Sequence, residues 1–144
     1  MLTTQPYIFL VDDSEDDRQL FLEALDELNL KATITTFENG VDLMANLMDS
    51  SITLPDIIFL DLYMPLMNGE ECLVDIRSNP QLCDIPIIIY SGYHDEHKIK
   101  FLKEKGANCY LEKPNTFEKL KHLVDYCIKS LGQENYGETR FVFR

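Results

Sequence analysis

Short apolar runs recur along the chain at fairly even distances, at residues 7–11, 56–60, 85–90 and 107–111. Each is rich in Ile, Val, Phe or Tyr and gives way to a polar residue, the pattern of strands buried on both faces of a parallel sheet. Residues 32–37 form a weaker run, β-branched at Thr33, Ile34, Thr35 and Thr36 but less apolar, which places it at a sheet edge. Helical spacing fills the intervals. Leu20, Phe21, Ala24, Leu25 and Leu28 share one face, and Val41, Met44, Leu47 and Met48 another. Cys72, Leu73 and Ile76 predict a third helix, Ile99 and Leu102 a short fourth, and Phe117, Leu120, Val124, Cys127 and Leu131 a longer last one. Ser14, Asn39, Asn68 and Asn115 are placed to cap helix N-termini, the last two with Glu71 and Glu118 three residues on. Gly106, after the turn Lys103-Glu104-Lys105, marks a helix end.

The repeated strand–helix alternation predicts an α/β fold, a five-stranded parallel sheet with helices on both faces. Residues 6–131 carry the pattern; 132–144 form a C-terminal tail too short for a separate output domain, and 139–144 alternate polar and apolar like either an added strand or a frayed end.

Composition narrows the function classes. No apolar run approaches the length of a bilayer span, and the start of the chain lacks a basic signal-peptide region, so a cytoplasmic protein without membrane insertion is expected. A net charge of −12 argues against direct nucleic-acid binding, which needs clustered Lys and Arg, and suits contact with basic or mixed protein surfaces. Cys72, Cys83, Cys109 and Cys127 show neither CxxC nor metal-finger spacing and read as free thiols of a reducing compartment.

What ends the strands changes the picture most. The first gives way to Asp12-Asp13, the third to Asp61 and the fourth to Ser91, while the last leads into Lys113-Pro114. In a parallel sheet these positions share one edge, where ligands of such folds bind. Carboxylates gathered there repel by roughly 4 kcal/mol per pair at about 4 Å and an effective dielectric near 20. Either their pKa values rise or a cation sits among them, and an all-oxygen donor set favours Mg²⁺. A plain acidic rim is the alternative.

The motifs VDDSEDD at 11–17, FLDLYMPLMNG at 59–69, IYSGY at 89–93 and YLEKP at 110–114 stand in order, with 48 residues from Asp13 to Asp61, 30 on to Ser91 and 22 more to Lys113. In these the chain resembles the receiver domain of two-component response regulators, of the stand-alone chemotaxis-regulator kind. The resemblance implies a flavodoxin-like doubly wound sheet of order 2-1-3-4-5. It makes Asp61 the nucleophile that becomes an aspartyl phosphate. It assigns direct Mg²⁺ binding to Asp13, Asp61 and the backbone carbonyl of Tyr63, with Asp12 acting through water. Lys113 is implied to pair with Asp61 and then with a phosphoryl oxygen, after a cis peptide at Pro114. Ser91 would detect the phosphoryl group and Tyr110 would swing inward in response. Tyr63, Gly92 and Tyr93 flank the phosphate. The two tyrosines either shield it from water or face outward as a partner surface.

The phosphoryl donor is then a histidine kinase or histidine phosphotransfer protein. The output is a downstream protein target, reached around the fourth and fifth helices, or onward relay. Homodimerisation through the fourth-helix face is open to such a protein, which is a phosphoacceptor and not a dedicated enzyme. Two rivals stand beside this reading. A Mg²⁺-dependent phosphatase with an Asp nucleophile needs an acid two residues on, where this chain has Tyr63. A degenerate receiver would bind partners without phosphorylation. His94 and His97, three apart, and His122 read as solvated, and the terminal FVFR carries no chemical signature.

Overall fold

Side chains alternate across each strand, so every buried strand serves two cores at once. Phe9, Val11, Ile58, Leu60, Ile87, Ile89 and Tyr110 face one side, and Ile8, Leu10, Ile57, Phe59, Ile88, Tyr90 and Leu111 the other. The computed structural model describes residues 5–93, 95–130 and 140–144. Its elements are β1 (Tyr7–Val11), α1 (Glu15–Glu27), β2 (Thr33–Phe37), α2 (Gly40–Leu47), β3 (Ile57–Leu60) and α3 (Gly69–Ser78), followed by β4 (Ile87–Ser91), α4 (Glu96–Glu104), β5 (Cys109–Glu112), α5 (Phe117–Lys129) and β6 (Val142–Phe143). The sheet runs β2-β1-β3-β4-β5-β6 with all neighbours parallel. Helices α1 and α5 cover one face through Phe21, Leu25, Leu120 and Val124; α2, α3 and α4 cover the other through Leu43, Leu73, Ile76, Ile99 and Leu102. The expected α/β architecture and strand order are present, with β2 at one edge.

Of the two readings of residues 139–144, the added strand is the one present: β6 pairs with β5 (Tyr110↔Val142, Leu111↔Phe143), and buried Phe143 joins the α5 core. Three particulars differ from expectation. Helix α5 is capped by Thr116, whose Oγ1 accepts from the Lys119 N–H, and not by Asn115. Helix α2 buries Gly40, Leu43 and Leu47 and leaves Val41 and Met48 exposed. Its first turn is fixed by the Gly40 N–H donating to the Met67 carbonyl, which sets the helix rotation. Finally, the described peptides are all trans, so Lys113–Pro114 takes the isomer favoured by about 0.5–1 kcal/mol.

The caps at Ser14, Asn39 and Asn68 are as expected, Asn68 completing a capping box with Glu71, and Asp95 caps α4. Gly106 follows the α4 cap at φ +106°, a conformation that glycine adopts without a Cβ penalty. Arg77, at the end of α3, donates to the carbonyls of Cys83, Ile85 and Gly106 and to Asn108 Oδ1. The Ile87 N–H also donates to Asn108 Oδ1, so one network gathers the segments leading into β4 and β5. No helix among the described residues is long and apolar enough to cross a membrane. Leu131, His94 and residues 132–139 lie outside the described residues.

Candidate functional site at the strand ends

Backbone pairing continues one step past the strands and fixes the residues that follow them. The Asp12 N–H donates to Phe37 O at 3.0 Å, Asp61 N–H to Val11 O at 2.9 Å and Lys113 N–H to Ser91 O at 2.9 Å. Asp12, Asp61, Ser91 and Lys113 are thereby held at one edge by the sheet itself.

Carboxylate oxygens of Asp12, Asp13 and Asp61 all lie within 4.8 Å of one another. Asp12 is 0% exposed and Asp61 6%, while Asp13 faces solvent. One oxygen of each buried carboxylate is occupied locally: Asp12 Oδ1 accepts from the Ser14 N–H at 3.0 Å, and Asp61 Oδ1 from the Leu62 N–H at 2.8 Å. The remaining oxygens face Lys113. Its Nζ stands 2.8 Å from Asp12 Oδ2 but 3.6 Å from Asp61 Oδ2, so the expected pairing with Asp61 is the looser contact. A second tight partner is Asp17 Oδ2, also at 2.8 Å. Asp17 was not singled out in the sequence. Its signal is position, one helical turn after Asp13 within the acidic first turn of α1.

Electrostatics follow from this sharing. Burial pushes the Asp61 carboxyl up to about 7; the Asp12 charge adds to the rise, and Lys113 and the Leu62 N–H offset only part of it. Burial acts to lower the Lys113 pKa, but its bonds to Asp12 and Asp17 and the charge of Asp61 outweigh that and raise it. The ammonium is held firmly while Asp61 is left short of positive charge. Three close carboxylates of which one is under-compensated, with only oxygen donors, fit Mg²⁺ or a similar hard divalent cation.

Around this centre Ser91 is buried, its Oγ accepting from the Tyr93 N–H at 3.2 Å. A Cβ at Gly92 would meet only the Lys113 stem, at 4.0 Å. Tyr110 is fully buried on β5, its hydroxyl donating to the Tyr93 carbonyl, so the ring already occupies an inward position. Tyr63 and Tyr93 are about half exposed and pack edge to face, ring centroids 5.3 Å apart at 81°. That contact joins the loop after Asp61 to the loop after Ser91. Beside it, Lys98 of α4 pairs with Glu70 of α3 at 3.1 Å. Helix α3 approaches so closely that a Cβ at Gly69 would collide with the Asp61 carbonyl.

A family model described as the response regulator receiver domain matches residues 8–125. Response regulator Rcp1 of Synechocystis sp. is 31% identical over 121 residues, covering 81% of this chain and 82% of Rcp1. Among solved structures, the phosphorylated cyanobacterial phytochrome response regulator RcpA is similar with a TM-score of 0.81 at 30% identity, over 90% of this chain and 95% of that one. The Mn²⁺-bound form of Rcp1 is similar with a TM-score of 0.79 at 30% identity, over 89% and 96%.

Proposed function

The chain belongs to the response regulator receiver domain family of two-component signalling, and on that premise we propose that Asp61 is its phosphoacceptor. The carrying observation is the buried Asp61 carboxylate, set among Asp12, Asp13 and Lys113 at the strand ends. An Asp61 oxygen takes the phosphoryl group from a phosphohistidine; a P–O bond forms, the P–N bond breaks, and the electron pair leaves on the imidazole nitrogen. Asp13, Asp61 and the Tyr63 backbone carbonyl would hold Mg²⁺, with Asp12 acting through water. When bound, the ion supplies positive charge to the phosphoryl oxygens. Lys113 donates to a phosphoryl oxygen, and Ser91 Oγ exchanges the Tyr93 N–H for a hydrogen bond to the same group.

The Ser91 and Tyr110 contacts both end on Tyr93, so a shift of Ser91 reaches the loop entering α4. Output by a protein target around α4 and α5, or by onward relay, follows from that route. A histidine kinase or phosphotransfer protein is the donor class. The phosphatase alternative is disfavoured because the position two residues after Asp61 holds an exposed tyrosine, which supplies no carboxylic acid. The mutual packing of Tyr63 and Tyr93 supports the shielding role, a roof across two loops that slows water attack on the acyl phosphate.

Incubation with Mg²⁺ and acetyl phosphate, read by intact mass, should add one phosphoryl group to the wild type and none to Asp61→Asn. In the same preparation Tyr63→Ala with Tyr93→Ala should lose phosphate several-fold faster; equal decay would remove the shielding role and leave the acceptor standing. Absence of any mass gain, together with absent beryllofluoride binding, would overturn the proposal in favour of a degenerate receiver.

A further inference from the structure

An ammonium group has three N–H donors; Lys113 gives one to Asp17 Oδ2 at 2.8 Å and makes an ion-pair contact of 2.8 Å with Asp12 Oδ2, which accepts no hydrogen bond. Asp61 Oδ2 is at 3.6 Å, outside hydrogen-bond range although it faces the same nitrogen. Asp12 is anchored on the other side by the Ser14 N–H and cannot hold Lys113 away by itself, because it sits within the cluster that includes Asp61. Asp17 approaches from the first turn of α1, outside the three-carboxylate cluster. Its own turn is fixed by the Asp17 N–H donating to Ser14 Oγ at 3.2 Å. The Lys113 nitrogen also lies 5.2 Å from the centre of the Tyr90 ring, which limits where else it can settle.

We propose that Asp17 is a positioning residue that draws Lys113 to the outer side of the acidic site, keeping the Asp61 oxygen free for the metal ion and the incoming phosphoryl group. The inference rests on the reading of Asp61 given above. Without the Asp17 carboxylate, the ammonium is left between Asp12 Oδ2 at 2.8 Å and Asp61 Oδ2 at 3.6 Å, and it is free to close on Asp61. A charge-assisted bond there competes with a cation for the same oxygen.

The test is Mg²⁺ binding to the unphosphorylated full chain by calorimetry, with Asp16→Asn as the charge-matched control. Asp16 lies in the same turn and is exposed. Removal of either carboxylate weakens cation binding through charge alone. Asp17→Asn should weaken it by a further factor of about three to ten, the size of a coupling between contacting groups. That excess should vanish in a Lys113→Met background, and Asp17→Glu should restore binding. Equal losses for Asp17→Asn and Asp16→Asn, or an excess that persists without Lys113, overturn the role of Asp17 and leave the Asp61 site intact. Absence of Mg²⁺ binding in the wild type overturns both. Should Lys113→Met not fold, the Lys113 side-chain resonance in isotope-labelled protein decides the matter. Mg²⁺ should shift it more in Asp17→Asn than in wild type, because the ammonium must then leave Asp61; equal shifts count against the proposal.

Discussion

At the scale of single residues, the site is a distribution of too little positive charge over too many carboxylates. Asp61 bears the shortage, with a carboxyl pushed up to about 7 by burial and by Asp12. The folded protein therefore holds a proton on Asp61 at pH values where the unfolded chain, with an ordinary Asp near 3.9, has lost it. Without a divalent ion, the stability cost of Asp61 is absent below about pH 4, grows as pH rises and is complete above about 7. Asp61→Asn should match wild type near pH 4 and exceed it at pH 8 by on the order of 2 kcal/mol in urea unfolding, with Mg²⁺ narrowing the gap. A difference that does not change with pH would contradict this account. Asp12, Asp13, Asp61, Ser91 and Lys113 were legible in the sequence because each closes or follows an apolar run. Asp17 was not, since its bond to Lys113 depends on the angle at which α1 leaves β1 and on the reach of both side chains.

At the scale of elements, caps and close approaches decide where side chains arrive. Ser14, Asn39 and Asn68 could be read directly, because a short polar residue before a helical face has few other uses. At 115–116 two good caps stand side by side, and Thr116 takes the role by bonding the Lys119 N–H. The α2 face was harder to read: Leu47 is buried and Met44 packs on the core as the spacing implies, but Val41 and Met48 are as apolar as Leu43, and the anchoring of Gly40 to Met67 goes with the rotation that buries Leu43 in their stead. Helix α3 depends on contact at Gly69, whose N–H donates to Leu62 O while a side chain would strike the Asp61 carbonyl. Gly69→Ala should force α3 away from β3, cost on the order of 3 kcal/mol in thermal or urea unfolding and weaken Mg²⁺ binding with it. Loss of stability with intact metal affinity would show that α3 moves independently of Asp61.

For the whole molecule, the periodic pattern alone leads to a parallel sheet with helices on both sides, because buried parallel strands and amphipathic helices leave few other arrangements. Strand order came through the family resemblance, since hydrophobic periodicity does not say which strands are neighbours. The added strand β6 is only Val142–Phe143 by backbone pairing, so the alternation over 139–144 left a strand and a frayed end equally open, and its place is set by Phe143 packing on Tyr126 with ring centroids 5.2 Å apart. The same parallel arrangement separates two populations of contacts. The charged site occupies the ends of β4 and β5, and the Arg77 network occupies their beginnings.

Mechanically, β4 and β5 are beams clamped at one end and loaded at the other. Arg77 removes slack where each beam starts, so a push delivered at Ser91 or Lys113 should be taken up near the site and should not slide the strands as rigid rods. Amide exchange should be slowest at Ile87 and Asn108 and faster toward the site. Arg77→Met should flatten that gradient by speeding exchange at the clamped end, while a gradient left unchanged would place the stiffness elsewhere in the sheet.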